Sequence, residues 1–130
     1  KKRVLIVDDD VEFGKFVKDT IEEIDCETFL ISNSVNFKEA FKKFRPDVIV
    51  LDVTMPEIDG IELVHWLAEI QWKAKIIIVS GYDPIFSSAA QDLGEFHGLA
   101  RPMNLRKPFQ PKALQALIIG TNPGTQRADA

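Results

Sequence analysis

Three apolar runs each end on a polar side chain with chemistry in it: Val4-Leu5-Ile6-Val7 leads into Asp8, Val48-Ile49-Val50-Leu51 into Asp52, and Ile76-Ile77-Ile78-Val79 into Ser80. Asp9 and Asp10 follow Asp8, and Lys107 follows the weaker segment Met103 to Arg106. If these segments are parallel strands of one sheet, their polar ends gather along one edge, several carboxylates beside a hydroxyl and an ammonium. Crowded carboxylates raise one another's pKa unless a positive charge intervenes. Mg²⁺ suits such a place, because it takes hard oxygen ligands, commonly one or two carboxylates with waters and a phosphate oxygen. With the charge compensated, one carboxylate can attack a phosphoryl group and become an aspartyl phosphate. Asp52 is the best candidate: it follows its run singly, whereas Asp8 and Asp9 arrive as a pair better suited to holding metal. Lys107 and the Ser80 hydroxyl are suitable partners for charge on the equatorial oxygens.

Each residue also has a plainer explanation. Aspartates and serines after strands often cap the next helix, and a lysine before proline is usually just solvated. Capping does not, however, require reactive side chains at the ends of four strands of one sheet.

The elements that must position these groups are legible in the periodicity. The three runs are mostly β-branched and lack polar alternation, the pattern of strands covered on both faces. Thr28 to Ile31 and Met103 to Arg106 are weaker strands; the second alternates apolar with polar and reads as an edge. Between the strands the period becomes helical. One face carries Phe13, Phe16, Val17, Ile21 and Ile24, a second Phe37, Ala40, Phe41 and Phe44, and a third Leu63, Val64, Leu67 and Ile70, with Trp66 off that stripe and Trp72 just past its end. Asn36 with Glu39 resembles a capping box, and Asp83-Pro84 and Gln110-Pro111 put proline at a first helical position. Five strand-helix units predict an open, doubly wound α/β sheet with its site beyond the carboxyl ends of the strands. Gln91 to Arg101 is irregular, with Gly94 and Gly98 interrupting it.

The 130 residues suit one domain, with no attached effector expected among them. A net charge of -4 argues against a surface that grips nucleic acid directly. Cys26 is the single cysteine and cannot form an internal disulfide, which suits a reducing compartment. His65 and His97 lack nearby ligand partners, so zinc is not expected. The apolar run behind Lys1-Lys2-Arg3 is too short for a signal peptide or a spanning helix. A cytoplasmic protein with no membrane association is expected. Lacking an initiator Met, the chain reads as a processed product or a piece of something longer.

Val4 to Asp10, the stretch Pro46-Asp47-Val48-Ile49-Val50-Leu51-Asp52-Val53-Thr54-Met55-Pro56-Glu57-Ile58-Asp59-Gly60, Ile78-Val79-Ser80-Gly81 and Lys107-Pro108-Phe109 together resemble the receiver domain of two-component response regulators. The resemblance runs through Ile119. It implies a receiver over residues 1–119, with 120–130 a flexible tail or the start of a linker, and a flavodoxin-like five-stranded parallel sheet of order 2-1-3-4-5 with helices on both faces. It implies that Asp52 takes a phosphoryl group from a sensor histidine kinase or phosphotransfer protein. It also implies that Asp9, Asp52 and the Thr54 carbonyl bind Mg²⁺, with Asp8 acting partly through water. Ser80 and Lys107 would contact the phosphoryl group, the Lys107-Pro108 bond would be cis, Gly60 would serve the turn into the third helix, and Asp10 would be a cap or surface charge.

The expected product is a signalling switch, not an enzyme with a separate substrate. Its responsive face would be built from the fourth predicted helix, the fifth strand and the fifth predicted helix, a surface also suited to a homodimer, and its output domain or target lies outside this chain. One departure stands out: three positions before the lysine, where receivers usually carry an aromatic residue, this chain has Asn104. Asn104 then signals through hydrogen bonding, or the output uses another surface. Two other functions share parts of the pattern. A haloacid-dehalogenase-type phosphatase uses a strand-end aspartate but needs a second acid two residues on, where Thr54 stands. A non-phosphorylated interaction module could keep the receiver fold without the chemistry.

Overall fold

The computed structural model describes residues 1–33, 35–52, 60–70, 72, 75–80 and 103–120. In chain order the elements are β1 (Arg3–Val7), α1 (Val11–Glu22), β2 (Glu27–Ile31), α2 (Phe37–Phe44), β3 (Val48–Asp52), α3 (Gly60–Glu69), β4 (Lys75–Ser80), β5 (Met103–Arg106) and α4 (Pro111–Ile119). Here α4 is the last of the helices expected from the sequence; the one expected behind Asp83-Pro84, the irregular stretch after it and the expected tail over 121–130 lie outside the described residues. All strands pair in parallel, in the order β2-β1-β3-β4-β5. The flavodoxin-like order implied by the receiver resemblance is therefore the observed one.

The lack of polar alternation in the central runs follows from two apolar layers, one on each side of the sheet. Leu5, Val7, Ile49, Leu51, Ile76 and Ile78 face a layer shared with Phe37 and Ala40 of α2 and Leu63 and Leu67 of α3. Their alternates Val4, Ile6, Val48, Val50, Ile77 and Val79 pack with Val17 and Ile21 of α1 and Leu114 and Ile118 of α4. Burying a Leu or Ile completely contributes about 1.5–3 kcal/mol, so strands flanked on both faces require apolar residues at every position. β2 sits at one edge and has the mixed burial of an edge strand, with Phe29 exposed.

The helix ends show which local signals hold. Asp10 caps α1, its Oδ1 accepting from the Phe13 N–H at 3.1 Å, so Asp10 is a cap. Gln110 leads into Pro111 at the start of α4 as expected. Asn36 stands at the N-cap of α2 but its side chain makes no capping bond; with ψ at 6° its backbone is not in the extended conformation typical of a capping residue, so the capping box read from Asn36 and Glu39 does not form. Gly60 is the first residue of α3, and the segment leading into it, where it is expected to serve a turn, lies outside the described residues. At the end away from Asp52, the ammonium groups of Lys2 and Lys75 donate to the carbonyls of Ile118 and Leu117, supplying cations to the C-terminus of α4.

The aromatic residues correct the reading of α3. Trp66, off the stripe that the sequence suggests but expected to be partly buried, packs edge-on to Phe37 and Phe41 at the margin of the core, while Ile70 is 43% exposed. Positions 63, 66 and 67 are spaced i, i+3, i+4, and the large indole takes that face. Trp72 leans on Phe41 and is partly buried.

Candidate functional site

The register brings the polar strand ends together. Val7 of β1 lies opposite Leu51 of β3, so Asp8 and Asp52 are the next residues of adjacent strands. Asp52 in turn lies opposite Val79, one residue before Ser80, and Ser80 lies opposite Arg106, the residue before Lys107. Four strands of one parallel sheet thus deliver Asp8, Asp52, Ser80 and Lys107 to one edge.

Asp52 is 2% exposed, and the Lys107 Nζ donates to its Oδ2 at 2.7 Å. A buried carboxylate needs a partner of this kind, since an unpaired charge in a protein interior is costly. Lys107 is three-quarters buried, and its peptide bond to Pro108 is cis, as the resemblance implies. Asp8 is 3% exposed; its Oδ1 accepts from the Asp10 N–H at 2.9 Å, and its own N–H donates to the Ile31 carbonyl at 3.1 Å. Burial pushes the Asp8 carboxyl up from the ordinary 3.8 to about 6, and the negative charge of Asp52 adds to that rise; the Asp10 N–H and the Lys107 charge pull the other way. Asp9, between Asp8 and the cap, is partly buried.

Whether a cation fits is decided by the donors that the register brings together, the buried carboxylates of Asp8 and Asp52. Two buried carboxylates on neighbouring strands repel, and a divalent ion among them would relieve the repulsion with the hard oxygen donors that Mg²⁺ prefers. Among the described residues no group of three or more His, Cys, Asp or Glu side chains forms a ready metal cluster. The expected set asks for less than that, because carboxylates are supplemented by a backbone carbonyl, waters and a phosphoryl oxygen. The donors present fit the ion. The carbonyl expected from Thr54 lies outside the described residues. Ser80 and Asn104 are placed by their backbones at the end of β4 and within β5, Asn104 opposite Ile78; their side chains are not among those described.

One contact was missed in the sequence. The Lys107 ammonium, which donates to Asp52, also lies 4.2 Å from the centre of the Phe13 ring, a cation–π contact. Phe13 belongs to the apolar face of α1 and borders the core there. Helical spacing cannot show that a residue one turn into α1 also reaches the end of β5. His65 lies 3.8 Å from Glu69, one turn along its own helix.

This geometry has relatives. Residues 4–119 match the response regulator receiver domain family. The chain is 33% identical over 120 residues to the chemotaxis protein CheY of Thermotoga maritima, covering 89% of this chain and 94% of that protein. It is 26% identical over 105 residues to the sporulation initiation phosphotransferase F of Bacillus subtilis, covering 80% and 85%. Among solved structures, full-length FixJ from B. japonicum superposes with a TM-score of 0.78 at 28% identity, over 91% of this chain and 56% of that one. Sheet order, strand-end acids and family match agree: this chain belongs to the response regulator receiver domain family, a phosphoacceptor switch of two-component signalling.

Proposed function

We propose that Asp52 accepts a phosphoryl group from a phosphohistidine on a sensor histidine kinase or phosphotransfer protein. The observation that carries this reading is the buried Asp52 carboxylate, paired at 2.7 Å with Lys107 beside a second buried acid, Asp8. An Asp52 oxygen forms the new bond to phosphorus as the phosphorus–nitrogen bond of the donor breaks. The histidine nitrogen keeps the bonding electron pair and takes up a proton. Lys107 compensates the charge that the transferred group brings to the end of β3. Asp8, Asp9, Asp52 and the Thr54 carbonyl are the proposed donors for Mg²⁺, which when bound neutralises the acids and the phosphoryl oxygens.

In this reading the protein takes part in its own phosphorylation and dephosphorylation without a separate substrate. Ser80 and Asn104 carry the response from the site, and the surface that includes β5 and α4 controls an output domain or target outside this chain, with a homodimer on the same face. A cytoplasmic location goes with a histidine-kinase partner and with the lone buried thiol of Cys26. No helix among the described residues is long and apolar enough to cross a membrane.

Incubation with a small phosphodonor in Mg²⁺ tests the reaction. The expected result is uptake of a single phosphoryl group that fails when the metal is removed by a chelator. Equal uptake with and without Mg²⁺ would contradict the proposed site.

A further inference from the structure

We propose that Phe13 is a positioning residue for the phosphoacceptor site, its ring face holding the Lys107 ammonium in place beside Asp52; this rests on the phosphoacceptor reading. A lysine ammonium is a compact charge on a flexible four-carbon stem, and nothing in the stem itself fixes where the charge sits. Among the described residues it meets Asp52 and Phe13. Asp52 Oδ2 is 2.7 Å away, and the centre of the Phe13 ring is 4.2 Å away. The negative face of an aromatic ring attracts a cation, more strongly where water is partly excluded, and the Lys107 side chain is only 26% exposed.

The two partners differ in what the reaction does to them. When Asp52 becomes an acyl phosphate, its carboxylate gives up most of its charge and the negative charge moves to the phosphoryl oxygens. The ring of Phe13 is unchanged by the reaction. It keeps the ammonium local while the anionic partner is exchanged, so Lys107 does not have to be recaptured from solvent.

Phe13 is itself fixed by its surroundings. Its N–H is bound at 3.1 Å by the cap Asp10, whose own N–H is bound by Asp8, so the placement of Phe13 is tied to the acidic side of the site. Its ring meets Phe109 edge to face, with centroids 5.8 Å apart and planes at 82°, and Phe16 one turn along α1 at 5.6 Å. Phe109 follows Lys107 by two residues, so the segment that supplies the ammonium also supplies a ring that braces its aromatic partner.

A double-mutant cycle with an aromatic rescue tests this. The initial rate of Asp52 phosphorylation by a small phosphodonor in Mg²⁺ is measured for Phe13→Leu and Phe13→Tyr, each with Lys107 present and in a Lys107→Met background. NMR of the Lys107 ε-methylene protons, which a ring face shifts upfield, reports the contact independently of activity. Phe13→Leu should lower the rate by about threefold to tenfold and abolish the upfield shift. Phe13→Tyr should keep the shift and a rate within about twofold of the parent. In the Lys107→Met background Phe13→Leu should cost nothing further.

A wild-type rate for Phe13→Leu, a Tyr variant as slow as the Leu variant, or an equal loss without Lys107 would overturn the positioning role and leave Phe13 as packing. Failure of the unsubstituted protein to take up phosphoryl at all would instead overturn the phosphoacceptor reading, while the methylene shift would still decide whether the contact exists.

Discussion

Burial, with the negative charge of Asp52 on the neighbouring strand adding to it, raises the Asp8 carboxyl to about 6. Because its folded pKa exceeds the ordinary 3.8, the folded state binds more protons than the unfolded state between those values. Its contribution to stability is therefore fully present below about pH 4 and lost as pH rises through about 6. Replacing Asp8 with Asn removes that loss and keeps an oxygen to accept from Asp10. Asp8→Asn should be more stable than the parent by on the order of 1–3 kcal/mol at about pH 7 without metal. The gap should close towards about pH 4, and Mg²⁺ should narrow it at neutral pH by binding the parent better; urea denaturation across pH, with and without the ion, measures all three. The strand-end aspartates and Lys107 were legible in the sequence because they end segments of strand character. The Phe13 contact was not, because it depends on where side chains of α1 and the β5 end meet in space.

At the scale of elements, the apolar pattern found all five strands and the first three helices, since each pattern reflects which faces are buried, while Gln110-Pro111 marked the start of α4. The pattern failed where side-chain size or backbone angle decides. The α3 stripe was read through Leu63, Val64, Leu67 and Ile70, but the indole of Trp66 covers Phe37 and Phe41 while Ile70 stays 43% exposed. Trp66→Ala should cost about 2 kcal/mol or more, and Ile70→Ala well under about 1 kcal/mol, in thermal or chemical denaturation. Equal costs would return Ile70 to the stripe. The Asn36 cap failed for a similar reason: residue type predicted a capping bond that the local backbone does not set up.

At the scale of the whole molecule, the β-strands and helices were legible from the chain's own pattern, but their order across the sheet was not. Hydrophobic runs state which strands are covered on both faces, not which neighbours they have; the order 2-1-3-4-5 came from the likeness of four separated motifs to receivers. That order makes the site, because it sets β3 between β1 and β4 and brings Asp52 beside Asp8 and one residue short of the level of Ser80. A switch built this way should respond beyond the metal-binding acids. With Mg²⁺ and a phosphoryl mimic, amide exchange should change across residues 80 to 107; change confined to the residues around Asp8 and Asp52 would show a site that binds without switching. The central claim, that Asp52 is the acceptor, is tested most directly by intact-mass analysis of the parent and Asp52→Asn after incubation with a small phosphodonor and Mg²⁺. The account predicts one phosphoryl group on the parent, released by hydroxylamine, and none on Asp52→Asn; the same phosphoryl mass on Asp52→Asn would contradict it.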